Sequence, residues 1–269
     1  QHVAVDLGES APIDAAARAL YEAAAHPGTS GDLAPVTQAG QALERLLFTP
    51  IRAQLGTNTH RLVLAPDGLL NLVPLHLMHD GRAWLLDRYT VSYVTSGRDL
   101  LRERENPPQP APPTAVVATS YPLPDWNRGG FRAQAIVLPR LLPGVRMLTG
   151  EHATEHELRA LQAPSLLHVA AHGAFDADVG GDDPQRGAMQ RGRLLLGDVR
   201  PDLSAPPEGD DGQVSAAEVL TMNLRGTRLV VLSSCDTGQG NTAVGQGVFG
   251  LRRAFQLAGA EALVTALSS

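Results

Sequence analysis

Two apolar runs in this chain stop at side chains that can do chemistry. Leu166-Leu167-His168-Val169-Ala170-Ala171 leads into His172-Gly173, and Leu229-Val230-Val231-Leu232-Ser233-Ser234 leads into Cys235-Asp236-Thr237-Gly238. The sequence holds one cysteine, Cys235. A thiol beside an imidazole is the minimum for nucleophilic catalysis: the ring takes the proton and the thiolate attacks an electrophilic carbon. Both runs read as buried parallel strands, and α/β folds place their sites at the carboxyl ends of such strands. If the two strands are neighbours, His172 and Cys235 meet at one edge of the sheet. A glycine after the histidine lets a substrate approach the backbone closely, so the amides of Gly173 and Cys235 are the candidate donors to an oxyanion. Plainer readings stand beside this one: cysteine is among the most buried residue types, and Gly173 can be an ordinary turn glycine.

Rival motifs are weaker. His168 precedes His172 by four residues, which on one strand puts both on the same face. A metal needs three or four ligands and no third is evident, so His168 is read as a satisfied core histidine. His152 and His156 are spaced as helix neighbours but lack the glutamate that follows the first histidine of a zinc-protease helix, which leaves a surface pair. Gly245-Gln246-Gly247-Val248-Phe249-Gly250 matches a dinucleotide fingerprint. It does not follow directly from a strand, and its last glycine falls inside a helical run, so it is read as close helix packing. No Gly-x-Ser-x-Gly elbow is present, and Asn241 stands where a phosphatase loop after Cys235 would need arginine.

Composition narrows the classes further. All 22 basic residues are arginine, which excludes a Walker lysine, a Schiff-base lysine and a Ser-Lys dyad. One cysteine excludes an internal disulfide and a Cys-rich zinc site. A net charge of −6 and a pI near 5.8 do not fit a nucleic-acid-binding protein. No apolar run approaches the roughly 18–20 residues of a membrane span. The absence of a visible export segment and the free thiol point to the cytoplasm. The chain starts at Gln1 and stops within an apparent strand, so both termini are expected to be cut from something longer.

The elements that must position these residues follow from periodicity. Asp14–Ala25 reads as a helix, Pro27–Asp32 as a loop and Val36–Leu55 as one helical stripe through Leu43, Leu46, Leu47, Ile51 and Leu55. Arg61–Ala65 is a strand closed by Pro66-Asp67-Gly68, Leu69–Met78 packs over the core, and Thr90–Val94 is a second strand. Ser96–Arg104 is a short helix. Asn106–Pro113 holds five prolines and is read as a linker between subdomains. Then come a strand at Thr114–Thr119, an irregular stretch to Pro143, a helix at His152–Leu161, the histidine strand and a Gly/Asp-rich loop at Asp176–Gly192. An acidic loop at Pro201–Gly212 is expected to be exposed and open to nicking. Ser215–Leu220 is a short helix with a Ser215/Glu218 capping box. The cysteine strand, a helix from about Ala243 to Leu257 ended by Gly259, and a strand at Ala262–Ala266 complete the series. Strand alternating with helix calls for a mostly parallel sheet.

The ordered motifs resemble the CHAT domain, a branch of the caspase-like clan of cysteine peptidases often joined to tetratricopeptide repeats. Val5-Asp6-Leu7-Gly8 through Ile13-Asp14 resembles its beginning, and Leu62-Val63-Leu64-Ala65-Pro66-Asp67-Gly68-Leu69-Leu70-Asn71-Leu72-Val73-Pro74-Leu75 resembles its PDG-containing segment. Leu148–Thr154 resembles the approach to its histidine strand. Ala171-His172-Gly173 and Leu232–Gly238 resemble its two catalytic motifs, and Gly245–Gly259 its following helix.

The resemblance implies a caspase-like α/β fold, with a mostly parallel central sheet flanked by helices and an N-terminal helical and strand subdomain. The expected parts are residues 1–105, the linker 106–113 and a catalytic part 114–269 that is incomplete at its C-terminus. It implies a site-specific endopeptidase in which His172 is general base and acid, Cys235 is the nucleophile, and the Gly173 and Cys235 amides hold the oxyanion of a thioester-forming step. No cofactor is implied. The implied partners are a protein or peptide substrate and a sensor or repeat region in the same full-length chain, with no direct binding of nucleic acid or membrane. In this clan the residue two before the cysteine contributes to the primary specificity pocket. Here it is Ser233 rather than the glutamine of caspases, and no clear pair of pocket arginines is present to favour cleavage after aspartate. Asp125 and Asp176 are candidate partners for a basic substrate residue. Two alternatives remain open: a catalytically dormant interaction or signalling module, and a peptide ligase using the same acyl-enzyme.

Overall fold

The computed structural model describes residues 2–26, 31–94, 96–101, 111–118, 128–175, 192–199, 210–234 and 244–265. The chain divides into two compact units, Gln1–Arg102 and Glu103–Leu267.

In the first unit, α1 (Ser10–Ala25) and α2 (Ala34–Leu43) pack through Ile13, Ala17 and Leu20 against Val36 and Leu43. Gly40 lets α2 lie close to the Leu77–His79 backbone, since a Cβ there would lie 2.4 Å from the Leu77 carbonyl oxygen. The expected stripe from Val36 to Leu55 is not one uniform helix. A π-helical turn at Glu44–Phe48 separates α2 from α3 (Thr49–Arg52), which carries a proline in its first turn. Pro50 has no N–H to give and its ring opposes the carbonyl four residues back, so the wider turn absorbs the conflict. The buried Glu44 carboxylate accepts the Thr49 hydroxyl at 2.8 Å and pairs with Arg52, whose guanidinium also reaches Asp80 at 3.4 Å. Burial alone would raise the Asp80 carboxyl. The Ala83 and Arg82 amides and the Arg88 and Arg52 charges outweigh it and hold the group below its usual range. Strand β1 (Arg61–Leu64) runs parallel to β2 (Thr90–Tyr93), with α4 (Leu85–Arg88) just before β2. The Leu69–Met78 segment forms two short 3₁₀ turns, Gly68–Leu72 and Leu75–Leu77.

The second unit is built on a five-stranded sheet. Its strands are β3 (Thr114–Val117), β4 (Arg146–Thr149), β5 (Leu166–Ala170), β9 (Leu229–Ser233) and β10 (Leu263–Thr265). They lie in the order β10-β9-β5-β3-β4, and every pair is parallel. This is the mostly parallel α/β architecture expected from the sequence. A separate antiparallel sheet, not anticipated from the sequence, joins β6 (His172–Phe175), β7 (Gly192–Leu195) and β8 (Gln213–Ser215).

The stretch expected to be irregular up to Pro143 contains helix α5 (Arg128–Leu141), with Pro139 inside its last turn. Phe131, Ala135, Leu138 and Leu142 recur at helical spacing and pack on Ala115, Val117 and Ala170 of the sheet. That burial outweighs the glycines at its start and the proline near its end. On the opposite face of the sheet, α6 (Glu155–Arg159), α7 (Ala216–Val219) and α8 (Val244–Leu257) meet Val116, Leu148, Leu167, Val169, Val230 and Leu232 in one large core. The expected capping box on α7 is present: the Glu218 amide donates to Ser215 Oγ at 3.3 Å, and the Ser215 amide donates to Glu218 Oε2 at 2.8 Å. Gly259 takes φ +123° just after α8, where a Cβ would strike the backbone of Arg225 at 2.5 Å. The helix expected at His152–Leu161 is shorter. Thr154 caps it by accepting the Glu157 amide, which leaves His152 outside it on a 3₁₀ turn.

Candidate active site

The two strands singled out by their endings are neighbours. β5 and β9 pair in parallel, and their last register pair is Ala170 with Ser233. In the sequence His172 and Cys235 each follow that pair by two residues. The run expected as a single strand through His172 stops at Ala170. The chain crosses one fully buried residue, Ala171, and His172 opens β6 opposite Leu195 of β7, with Gly173 opposite Leu194. Leu194 and Leu195 are themselves buried, so pairing with β7 draws the chain out of the parallel sheet at that point.

The His172 side chain is 7 % exposed. Its ring meets Phe131 of α5 edge-on, with centroids 4.7 Å apart at 76°. Burial lowers its pKa, because charging the ring would cost solvation. The imidazole is therefore neutral near pH 7 and able to accept a proton.

His168 and His172 do not share a strand, so the face argument from their spacing does not apply. Both rings still reach α5. Gln134, one turn along from Phe131, takes a hydrogen bond from His168 Nε2 at 2.8 Å on its Oε1, and its Nε2 donates to Ser233 Oγ at 3.0 Å. His168 is thus a satisfied, half-buried histidine whose pKa burial lowers. Cys235, Asp125 and Asp176 lie outside the described residues. Sequence reasoning missed Gln134 and Phe131, which fall in the stretch read as irregular. The signal was there in the spacing of Phe131, Ala135, Leu138 and Leu142.

A second polar cluster lies on the other side of the sheet. Glu155 of α6 is fully buried; its Oε2 accepts the amides of Asp211 and Gly212 at 2.9 and 3.1 Å, and its Oε1 pairs with Arg159 at 2.9 Å. Burial raises the Glu155 pKa to about 7, and the nearby Glu218 adds to the rise against the pull of Arg159 and the Gly212 amide. These contacts change the reading of the acidic loop. Its residues 201–209 lie outside the described residues, but Asp211 and Gly212 are buried rather than exposed, because their amides satisfy the carboxylate. Beside them Gln213 Oε1 accepts from the buried Arg193 at 2.8 Å.

Among the described residues no group of three or more His, Cys, Asp or Glu is placed to hold a metal ion. No described helix is long and apolar enough to cross a membrane. No curated protein matches the chain. The model of the CHAT domain family matches residues 37–269, a span that contains both strand ends, His172 and Cys235. The chain therefore belongs to the CHAT domain family, a branch of the caspase-like peptidases.

Proposed function

We propose that this protein is a site-specific cysteine endopeptidase with His172 and Cys235 as its dyad. The observation that carries the reading is the parallel register of β5 and β9, which sets Ala170 opposite Ser233 with two residues of sequence left to each reactive side chain. A neutral, buried His172 takes the thiol proton, and the thiolate attacks the scissile carbonyl. The amides of Gly173 and Cys235 hold the oxyanion. The protonated ring then gives its proton to the leaving amine, and water releases the acyl group from sulfur. Residues 114–269 form the catalytic part, and 1–105 the N-terminal part of the same domain, joined to it by the linker 106–113. A working free thiol fits the cytoplasm.

The test is the rate of Cys235 alkylation against pH, read by intact mass, in the parent and in His172→Ala. The expected result is alkylation well below the free-thiol pKa of about 8.5, slowed at least tenfold at pH 7 by the substitution. A labelled peptide library then shows cleavage that Cys235→Ala abolishes, with an acid limb below 6.5 because burial lowers the His172 pKa. Products that appear only with an added amine acceptor would make the protein a ligase. Slow alkylation indifferent to His172 would leave the interaction module.

A further inference from the structure

We infer that helix α5 is the positioning element of the proposed dyad, acting through Gln134 and Phe131. The inference rests on the His172/Cys235 reading and names what ties together the two strands that lead to those residues. Gln134 touches both strands that lead to the dyad, accepting from His168 of β5 and donating to Ser233 of β9, residues 34 and 99 positions away. One turn earlier on the same helix, Phe131 sets the plane of the His172 ring. A single rigid helix thus fixes the separation of the two strand ends and the orientation of the base. The same face of α5 is anchored by Leu138 and Ala135 on Ala115, Val117 and Ala170, so the helix cannot slide without opening that core.

This gives Ser233 a role other than contact with substrate. Its hydroxyl is taken up by Gln134, two residues before the thiol in sequence. Gln134 and Ser233 act through the strands and Phe131 through the His172 ring, so all three are positioning residues.

The experiment is the pH profile of Cys235 alkylation by iodoacetamide in the intact protein. The reagent carries no peptide side chain, so a residue that acts only through substrate recognition leaves the profile unmoved. Gln134→Leu is expected to slow alkylation about tenfold at pH 7 and move the profile toward the free-thiol value of about 8.5. Ser233→Ala is expected to slow it about threefold, and the double variant to match Gln134→Leu alone, since Gln134→Leu already removes the Ser233 contact. Phe131→Leu is expected to slow it without changing the strand register. If Gln134→Leu fails to fold, Ser233→Ala, which removes one oxygen, carries the test. A folded Gln134→Leu or Ser233→Ala with the parent profile overturns the inference while the dyad stands. A parent profile that His172→Ala does not move overturns the dyad and this inference with it.

Discussion

The two faces of the five-stranded sheet are made differently. One is a continuous apolar surface: Leu167, Val169, Val230 and Leu232 meet α6, α7 and α8 in a core that contains Phe255, Leu158 and Leu224, all fully buried. The other carries His168 and Ser233 among small side chains such as Ala115 and Ala170, and α5 meets it with an amide and an aromatic edge as much as with aliphatic groups. The first face stabilises the unit by removing hydrocarbon from water. The second adds directional contacts to a smaller apolar cluster, and such contacts add little net stability but fix geometry. Positioning of the proposed dyad would therefore fall to the α5 side, and most of the apolar stabilisation to the other.

The sharpest way to break that division is to damage the apolar side alone. Leu167→Ala is expected to cost about 2–5 kcal/mol, read as a lower denaturant midpoint, while the pH profile of Cys235 alkylation in the folded fraction stays at its parent value. A profile that moves with Leu167 would mean that the faces are not separable.

Titration sharpens the same contrast. His168 and His172 have pKa values lowered by burial, so the unfolded chain binds their protons more readily and stability falls as pH drops below about 6.5. Glu155, on the opposite side, is raised from 4.5 to about 7. Its contribution is fully present below 4.5 and is lost as pH rises through about 7. The two windows overlap below pH 7, where the effects oppose each other, so thermal midpoints measured from pH 5 to 9 should level off above about 7. Glu155→Gln should remove the loss with rising pH and leave the rise due to the histidines. A Glu155→Gln curve parallel to the parent between pH 5 and 7 would contradict the raised Glu155 pKa. The smallest expected effect belongs to the cap of α7. Ser215→Ala should cost about 1 kcal/mol, visible in the denaturant midpoint and absent from the alkylation profile.

Much of the second unit was legible because its central strands are apolar along nearly their whole length. The runs ending at Ala170 and Ser233 are almost wholly apolar, and α8 shows its helical spacing and its glycine stop. The antiparallel sheet was not legible. Gln213-Val214-Ser215 is three residues long, and nothing local distinguishes it from a loop; its strand character comes from pairing with β7. The helix α5 was hidden by Gly129-Gly130 and Pro139, which argue locally for a coil and are overridden by packing on the sheet. At the candidate site the types and order of the reactive residues could be read directly. The part played by Gln134 could not, because an amide side chain has no function until its partners, 34 and 99 residues distant, are known.

The strand order has a consequence in time. β5 is the middle strand, and one of its two neighbours, β9, ends at Ser233, late in the sequence. At about 5–20 residues per second, the roughly 60 residues from Ala170 to Ser233 take about 3–12 s to synthesise. Until they have left the ribosome, the histidine strand has no cysteine strand to lie beside. A nascent chain with this topology lacks the β5–β9 pair until that stretch has emerged, so the proposed dyad would assemble only then.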